Sequence, residues 1–149
     1  MNTTLFDIKF ITAEETFKVR QPVLRAGRPL KDCEFDGDNL PSTFHLGLFH
    51  KNELTGVATF IKNSNSYFEE QLQYQLRGMA VLKEFQGLSY GKALLNFGEN
   101  HLKTINIPLL WFNAREIAVP FYKKSGYEIF GSSFLIDHIG LHYSMYKKL

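Results

Sequence analysis

An α/β fold whose strands are mostly antiparallel neighbours is predicted for this chain of 149 residues. Two observations carry the prediction. Six or seven short runs are rich in β-branched and aromatic residues or alternate in polarity. Three segments carry apolar residues three or four apart, with end signals that suit helices. In order they read β-α-β-β-β-α-β-α-β-β, with no internal repeat and no low-complexity linker, so residues 1–149 are taken as one domain. The length suffices to bury a core.

Leu5–Ile11 reads as the first strand. Thr12-Ala13-Glu14-Glu15 fits a capping box, in which the Thr12 hydroxyl accepts from the Glu15 amide while Glu15 reaches back. The helix that follows carries Phe17, Val19, Val23 and Leu24, and Pro22 is expected to kink or split it. From Gly27 to Pro41 the chain is turn-rich and acidic, with few large apolar residues. A mobile flap beside an acceptor pocket is the expectation there. Thr43–His50 alternates Phe44, Leu46 and Leu48 against Thr43, His45 and Gly47, and Glu53–Lys62 is a second strand. Leu72–Leu82 is a longer one, ending in Met79-Ala80-Val81-Leu82. The next helix has the stripe Tyr90, Leu94, Phe97, His101/Leu102 and Ile105. Leu109–Phe112 is a short apolar strand. A short helix has Glu116 in its first turn, Pro120 near its start and Lys123 and Lys124 at its end, with Gly126 in the capping position. Strands near Tyr127–Phe130 and Gly140–Lys147 close the chain.

Composition bounds the function. Apolar residues make up 44% and charged residues 21%, which suits a soluble globular protein, and 14 Phe predict an aromatic-rich interior. The formal charge of +2, with no basic stripe, argues against nucleic acid as a partner. The single cysteine, Cys33, excludes an internal disulfide and points to a reducing compartment. The N-terminal residues lack a signal-peptide pattern, and no apolar run spans a bilayer. The expected location is cytoplasmic, with no membrane partner.

The stretch Met79-Ala80-Val81-Leu82-Lys83-Glu84-Phe85-Gln86-Gly87-Leu88-Ser89-Tyr90-Gly91-Lys92 runs from an apolar strand through a small-residue turn into an amphipathic helix. Such a turn points backbone N–H groups at one spot, where the helix dipole adds positive character, so an anion is the fitting guest. A Walker A loop is excluded because Gln86 precedes Gly87 and Ala93 follows Lys92, and the G-x-G-x-x-G fingerprint is absent.

The segment resembles the R/Q-x-x-G-x-G/A signature of the GNAT superfamily of acyl-CoA-dependent N-acyltransferases, with Gln86 and Gly91 at its ends. It departs at Ser89, where the family usually has Gly; a positive φ there would strain Ser89 mildly. Leu110–Tyr127 resembles the family's strand–Asn–helix–F-Y-x-x-x-G-[FY] segment, downstream as the family order requires. Further stretches, among them Leu76–Val81 and His138–Lys147, are similar to small bacterial members. The resemblance implies a mixed, mostly antiparallel central sheet with two parallel strands that splay apart near Val81 and Asn113, flanked by helices. It implies acetyl-CoA in that opening, paired with the backbone of Met79, Ala80 and Val81. Amides of Gln86, Gly87, Leu88, Ser89, Tyr90, Gly91 and Lys92 would hold its diphosphate. The activity implied is acetyl transfer to a primary amine of a small molecule or peptide.

Tyr122 is the candidate general acid for the departing thiolate, or a ring packed under the cofactor. Asn113 is a candidate cofactor ligand, or a cap for the next helix. Glu84, His45, His142 and Asp137 are candidate bases by type, Glu84 foremost. Arg25, Arg77 and Arg115 suit a substrate carboxylate. Substrate contacts are thus assigned to Arg25, His45, Arg77 and His142. Asp32–Asp38 superficially resembles an EF-hand loop, but Thr43 stands where the bidentate Glu belongs. No metal is predicted. The competing reading is a non-catalytic acyl-CoA-binding sensor, which the presence of Tyr122 disfavours. A homodimer stays compatible with the sequence.

Overall fold

The computed structural model describes residues 6–149. Its helices are α1 (Ala13–Leu24), α2 (Tyr90–Thr104) and α3 (Val119–Lys124). Its strands are β1 (Phe6–Ile11), β2 (Phe44–His50), β3 (Glu53–Lys62), β4 (Tyr74–Val81), β5 (Leu109–Arg115), β6 (Glu128–Ile136) and β7 (Gly140–Lys148). Leu5, read as the start of the first strand, lies outside the described residues. The strands form one seven-stranded sheet in the order β1-β2-β3-β4-β5-β7-β6. Tyr74↔Leu110 and Gln75↔Trp111 set β4 and β5 parallel. The chain divides into two compact units, residues up to Ile61 with Leu76–His101, and Lys62–Gln75 with Leu102–Leu149.

In the first unit the capping box forms as read: Glu15 N–H donates to Thr12 Oγ1 at 3.2 Å, and Thr12 N–H to Glu15 Oε1 at 2.9 Å. Pro22 does not split α1. It lies two residues from the end, and the Arg25 amide closes the helix on the Arg20 and Gln21 carbonyls. Val19 of α1 packs on Val57 and Ala80. The other face of β3 receives α2, with Phe60 against Gly98 and Leu94 against Gly56. Helices on both faces explain why β2 does not alternate: His45, Leu46, Gly47 and Leu48 are all buried. Ile105, the last member of the α2 stripe, falls past the helix end and is exposed.

The second unit packs Leu109, Trp111 and Phe130 with Phe68 and Tyr146. Trp111 Nε1 donates to the Asn63 carbonyl at 2.9 Å. α3 ends in a Schellman turn: Tyr127 N–H donates to the Tyr122 carbonyl and Gly126 N–H to that of Lys123, with Gly126 at φ +94°. β6 is longer than the sequence pattern suggests, with an irregularity between Phe130 and Phe134 that interrupts its period.

Candidate active site

In the first unit the chain leaves β4 at Val81, makes a short 3₁₀ turn over Lys83–Phe85, and reaches α2 through Gln86–Ser89. Those four linking residues are exposed. Gly87 has φ +84°, and a Cβ there would meet no atom within 4 Å, so the backbone stands open to an approaching group. Ser89 has φ +66°, the left-handed conformation suspected from its place in the motif. Gln86 Nε2 donates to the Val81 carbonyl at 2.9 Å, closing the turn on the strand end.

Two rings clamp the loop through His50, a contact that the sequence did not reveal. Phe85 before it and Tyr90 after it both lie against His50, at 5.0 and 5.9 Å between centroids. The Tyr90 hydroxyl also pairs with His50 Nδ1 at 2.5 Å. Tyr90 thus faces the interior and can offer the loop only its backbone. Because His50 and Tyr90 are 40 residues apart, no local pattern announces the pair. Replacing Ser89 by glycine should relieve the left-handed strain against a smaller entropic loss, raising stability by about 0.5–1 kcal/mol. A lower urea midpoint for Ser89→Gly would instead mean that the hydroxyl braces the loop.

Upstream on β4, Gly78 takes φ +61°, and a Cβ there would stand 2.6 Å from Phe35 Cε2 and 3.3 Å from Arg20 Nε. Phe35 comes from the acidic 27–41 segment, which is not loosely held. Cys33, Phe35 and Asp38 are buried, and Asp38 is bidentate to Arg20 at 2.6 and 3.0 Å, both side chains fully enclosed. Burial alone would raise the Asp38 carboxyl. The Arg20 hydrogen bond, the Phe35 amide and the Arg20 charge outweigh it and hold the group below 3.8. Arg20 Nη2 also donates to Thr59 Oγ1 at 2.7 Å. Arg20 continues the buried row Ala13–Thr16 at spacings of three and four, the signal that could have marked it.

His45 completes this network. Nε2–H donates to the Asp38 carbonyl at 2.9 Å, and Nδ1 accepts from the Thr59 hydroxyl at 2.7 Å. Burial pushes its pKa below 6.5, consistent with a neutral ring. Both nitrogens are engaged by the protein, so His45 has none to offer a substrate. Arg25 and Arg77 are partly exposed, with guanidinium carbons 5.2 and 5.1 Å from the Phe35 ring centre. Glu84 is exposed in the 3₁₀ turn and lines a shallow cavity of about 320 Å³ with Pro22, Val23, Leu82, Lys83 and Gln86.

In the second unit Tyr122 lies partly buried against Phe112 at 4.3 Å between centroids, with Phe121 and Tyr127 alongside. The Schellman turn fixes its backbone, and burial pushes its hydroxyl up to about 12. That hydroxyl makes no hydrogen bond among the described residues. Asn113 caps no helix; its Oδ1 accepts from Ser144 Oγ at 2.7 Å across the β5–β7 pairing. His142 is buried, with Nδ1 bonded to the Gly140 carbonyl at 2.9 Å and its ring stacked on Phe134. Asp137 and Arg115 are exposed, the first in the β6–β7 turn and the second at the end of β5. Among the described residues no three His, Cys, Asp or Glu side chains gather as a metal set would, and no helix is long and apolar enough to cross a membrane.

The chain as a whole is similar to known acetyltransferases in sequence and in fold. The chain is 32% identical over 145 residues to the uncharacterized N-acetyltransferase YitI of Bacillus subtilis, covering 97% of each. Its fold is similar to that of the ribosomal-protein-S18-alanine N-acetyltransferase of Escherichia coli, with a TM-score of 0.74, 16% identity, and 96% and 93% of the two chains covered. It is also similar to an aminoglycoside 6'-N-acetyltransferase complexed with coenzyme A, with a TM-score of 0.73, 14% identity, and 95% and 96% covered. The model of the acetyltransferase (GNAT) family matches residues 9–127. With strand, turn and helix in the order that family requires, the chain belongs to the acetyltransferase (GNAT) family, whose members are N-acetyltransferases.

Proposed function

We propose that the protein transfers the acetyl group of acetyl-CoA directly to a primary amine. The observation that carries this reading is the open loop Gln86–Ser89 at the head of the fifteen-residue helix α2, with left-handed Gly87 and Ser89. The Gln86 amide is spent on the Lys83 carbonyl at 3.3 Å, closing the 3₁₀ turn, but the amides that follow it, together with the helix dipole, suit the loop to a diphosphate. The pantetheine arm would run back along Val81, Ala80 and Met79, as an added strand does. Amides from Gly87 to Lys92 would hold the diphosphate, while Gln86, expected from the sequence to share in this, closes the turn with both its backbone amide and its side chain. In the transfer, the amine nitrogen bonds to the thioester carbon, the carbon–sulfur bond breaks, and the proton that the amine gives up passes through water to the departing sulfur, leaving coenzyme A as the thiol. Glu84, between Val81 and Gln86, sits at the phosphate end of this arrangement, away from the thioester, and is better placed to shape the cavity than to take that proton.

Tyr122 would donate a hydrogen bond to the departing sulfur. With its hydroxyl near 12 and a thiol near 8.5, complete transfer is uphill by roughly 5 kcal/mol. The phenol therefore stabilises the thiolate as a neutral donor. A non-catalytic sensor would need no such donor, and nothing favours that alternative.

Titration calorimetry with acetyl-CoA and with a pantetheine fragment lacking the diphosphate tests the loop. Acetyl-CoA is expected to bind the more tightly of the two, and Gly91→Val to narrow the gap by crowding the approach to the helix. Equal affinity for the two ligands in the unmodified protein would refute the placement.

A further inference from the structure

We propose that the acceptor carries a carboxylate, held between Arg25 and Arg77, so that the substrates are amino acids or chains ending in a free carboxyl group near the amine. This rests on the cofactor orientation just described. If the diphosphate sits at Gly87–Lys92 and the arm follows Val81, Ala80 and Met79, the thioester end points toward Gly78 and Arg77. The positive charge collects there. Three guanidinium groups, those of Arg20, Arg25 and Arg77, surround the Phe35 ring at 4.0, 5.2 and 5.1 Å.

Only one of the three is neutralised. Arg20 is paired with Asp38 inside the protein. Arg25 donates to the neighbouring Leu24 carbonyl at 3.0 Å, and neither it nor Arg77 makes an ion pair among the described residues. The nearby acids are otherwise occupied or solvated: Asp32 pairs with Arg28, Glu34 accepts from Asn39, and Asp36 is exposed. His45, held neutral, adds no charge. A buried donor beside Gly78, the Nε of Arg20, also has no hydrogen-bond partner. Two partly buried guanidiniums flanking one ring repel each other, and a planar carboxylate would neutralise them with charge-assisted hydrogen bonds. Phe35 offers both guanidiniums a cation–π surface, which occupies their faces and not their N–H edges, and of the Arg25 edge one N–H is already given to Leu24.

The experiment uses matched acceptors. L-Phenylalanine, L-methionine, L-glutamate and β-alanine are compared with their amides and with the amines lacking the carboxyl group. Tripeptides with free and with amidated C-termini distinguish a free amino acid from a peptide end as the source of the carboxylate. Binding is read calorimetrically with the full chain, in the absence and in the presence of coenzyme A, and coenzyme A release from acetyl-CoA is read separately. At least one acid should bind roughly 10- to 100-fold more tightly than its amide, the worth of a charge-assisted pair. Arg77→Gln and Arg25→Gln should each erase most of that difference, chiefly through KM, while leaving acetyl-CoA affinity unchanged. Arg77→Lys should restore part of it, since it keeps the charge and loses the fork. Acids and amides binding alike, or no acid binding at all, would overturn the proposal. Failure of acetyl-CoA itself to bind, with the acids still held, would strike the acetyl-transfer reading and leave the carboxylate site standing.

Discussion

Tyr122→Phe is expected to bind acetyl-CoA with nearly unchanged affinity and to turn over roughly 10²- to 10³-fold more slowly, the usual worth of one donor aimed at developing charge. The substitution removes only the hydroxyl. The ring keeps its packing on Phe112, and the Schellman turn depends on the backbone of Tyr122, so the fold should persist. The deficit should appear in kcat and kcat/KM together, because the proposed interaction would form only as the sulfur departs. The pH profile supplies a second reading. With the hydroxyl at about 12, the tyrosine stays protonated through the neutral and mildly basic range, so it contributes no descending basic limb there. A parent enzyme whose activity falls between pH 8 and 10 must owe that limb to another group. Full turnover by the phenylalanine variant, with the chemical step rate-limiting, would reduce Tyr122 to a packing residue.

A loss of stability of about 3–5 kcal/mol is expected for Asp38→Ala, the typical penalty for leaving a buried charge without its partner. At about 2–4 °C per kcal/mol for a chain of this size, Tm should fall by roughly 6–20 °C. The partner left behind is Arg20, which the carboxylate grips through both oxygens, and the Phe35 amide loses its acceptor as well. Replacing Arg20 and Asp38 together by apolar residues of similar volume should recover much of the loss. If urea unfolding shows less than 1 kcal/mol for the single variant, the pair is not the anchor described. Acid should weaken the same network in two stages. The His45 ring is held below 6.5, so on acidification the unfolded chain takes up that proton first, and stability begins to decline below about pH 6.5. The Asp38 carboxyl is held below 3.8, so its contribution is complete above that value and is lost as pH falls through its folded pKa.

What was legible in the sequence was mostly local. Thr12–Glu15 and the Gly126 turn follow from spacings of a few residues, and both form as read. The β3 strand keeps its predicted bounds, Glu53–Lys62. The turn into α2 was visible because strand, small residues and amphipathic helix succeed one another directly. Long-range pairings were not visible. Nothing near Asp38 announces Arg20, eighteen residues earlier, so the acidic segment looked unanchored. His45 looked available because its two partners, Thr59 and the Asp38 carbonyl, come from β3 and from that same segment. The alternation in β2 misled for a related reason: a strand covered by helices on both faces has no solvent side for its pattern to report.

Gly98 of α2 rests directly on Phe60, where a Cβ would stand 2.1 Å from the ring's Cζ. A helix seated this way is keyed to the sheet, since sliding along its axis would drive a neighbouring side chain into the ring. The head of α2, where the amides gather, therefore inherits its position from a contact two turns away, and the aromatic clamp at His50 fixes its outer end. An incoming anion would meet donors already in register. Affinity at such a mouth comes from rigidity as much as from charge, because little conformational freedom remains to be surrendered on binding.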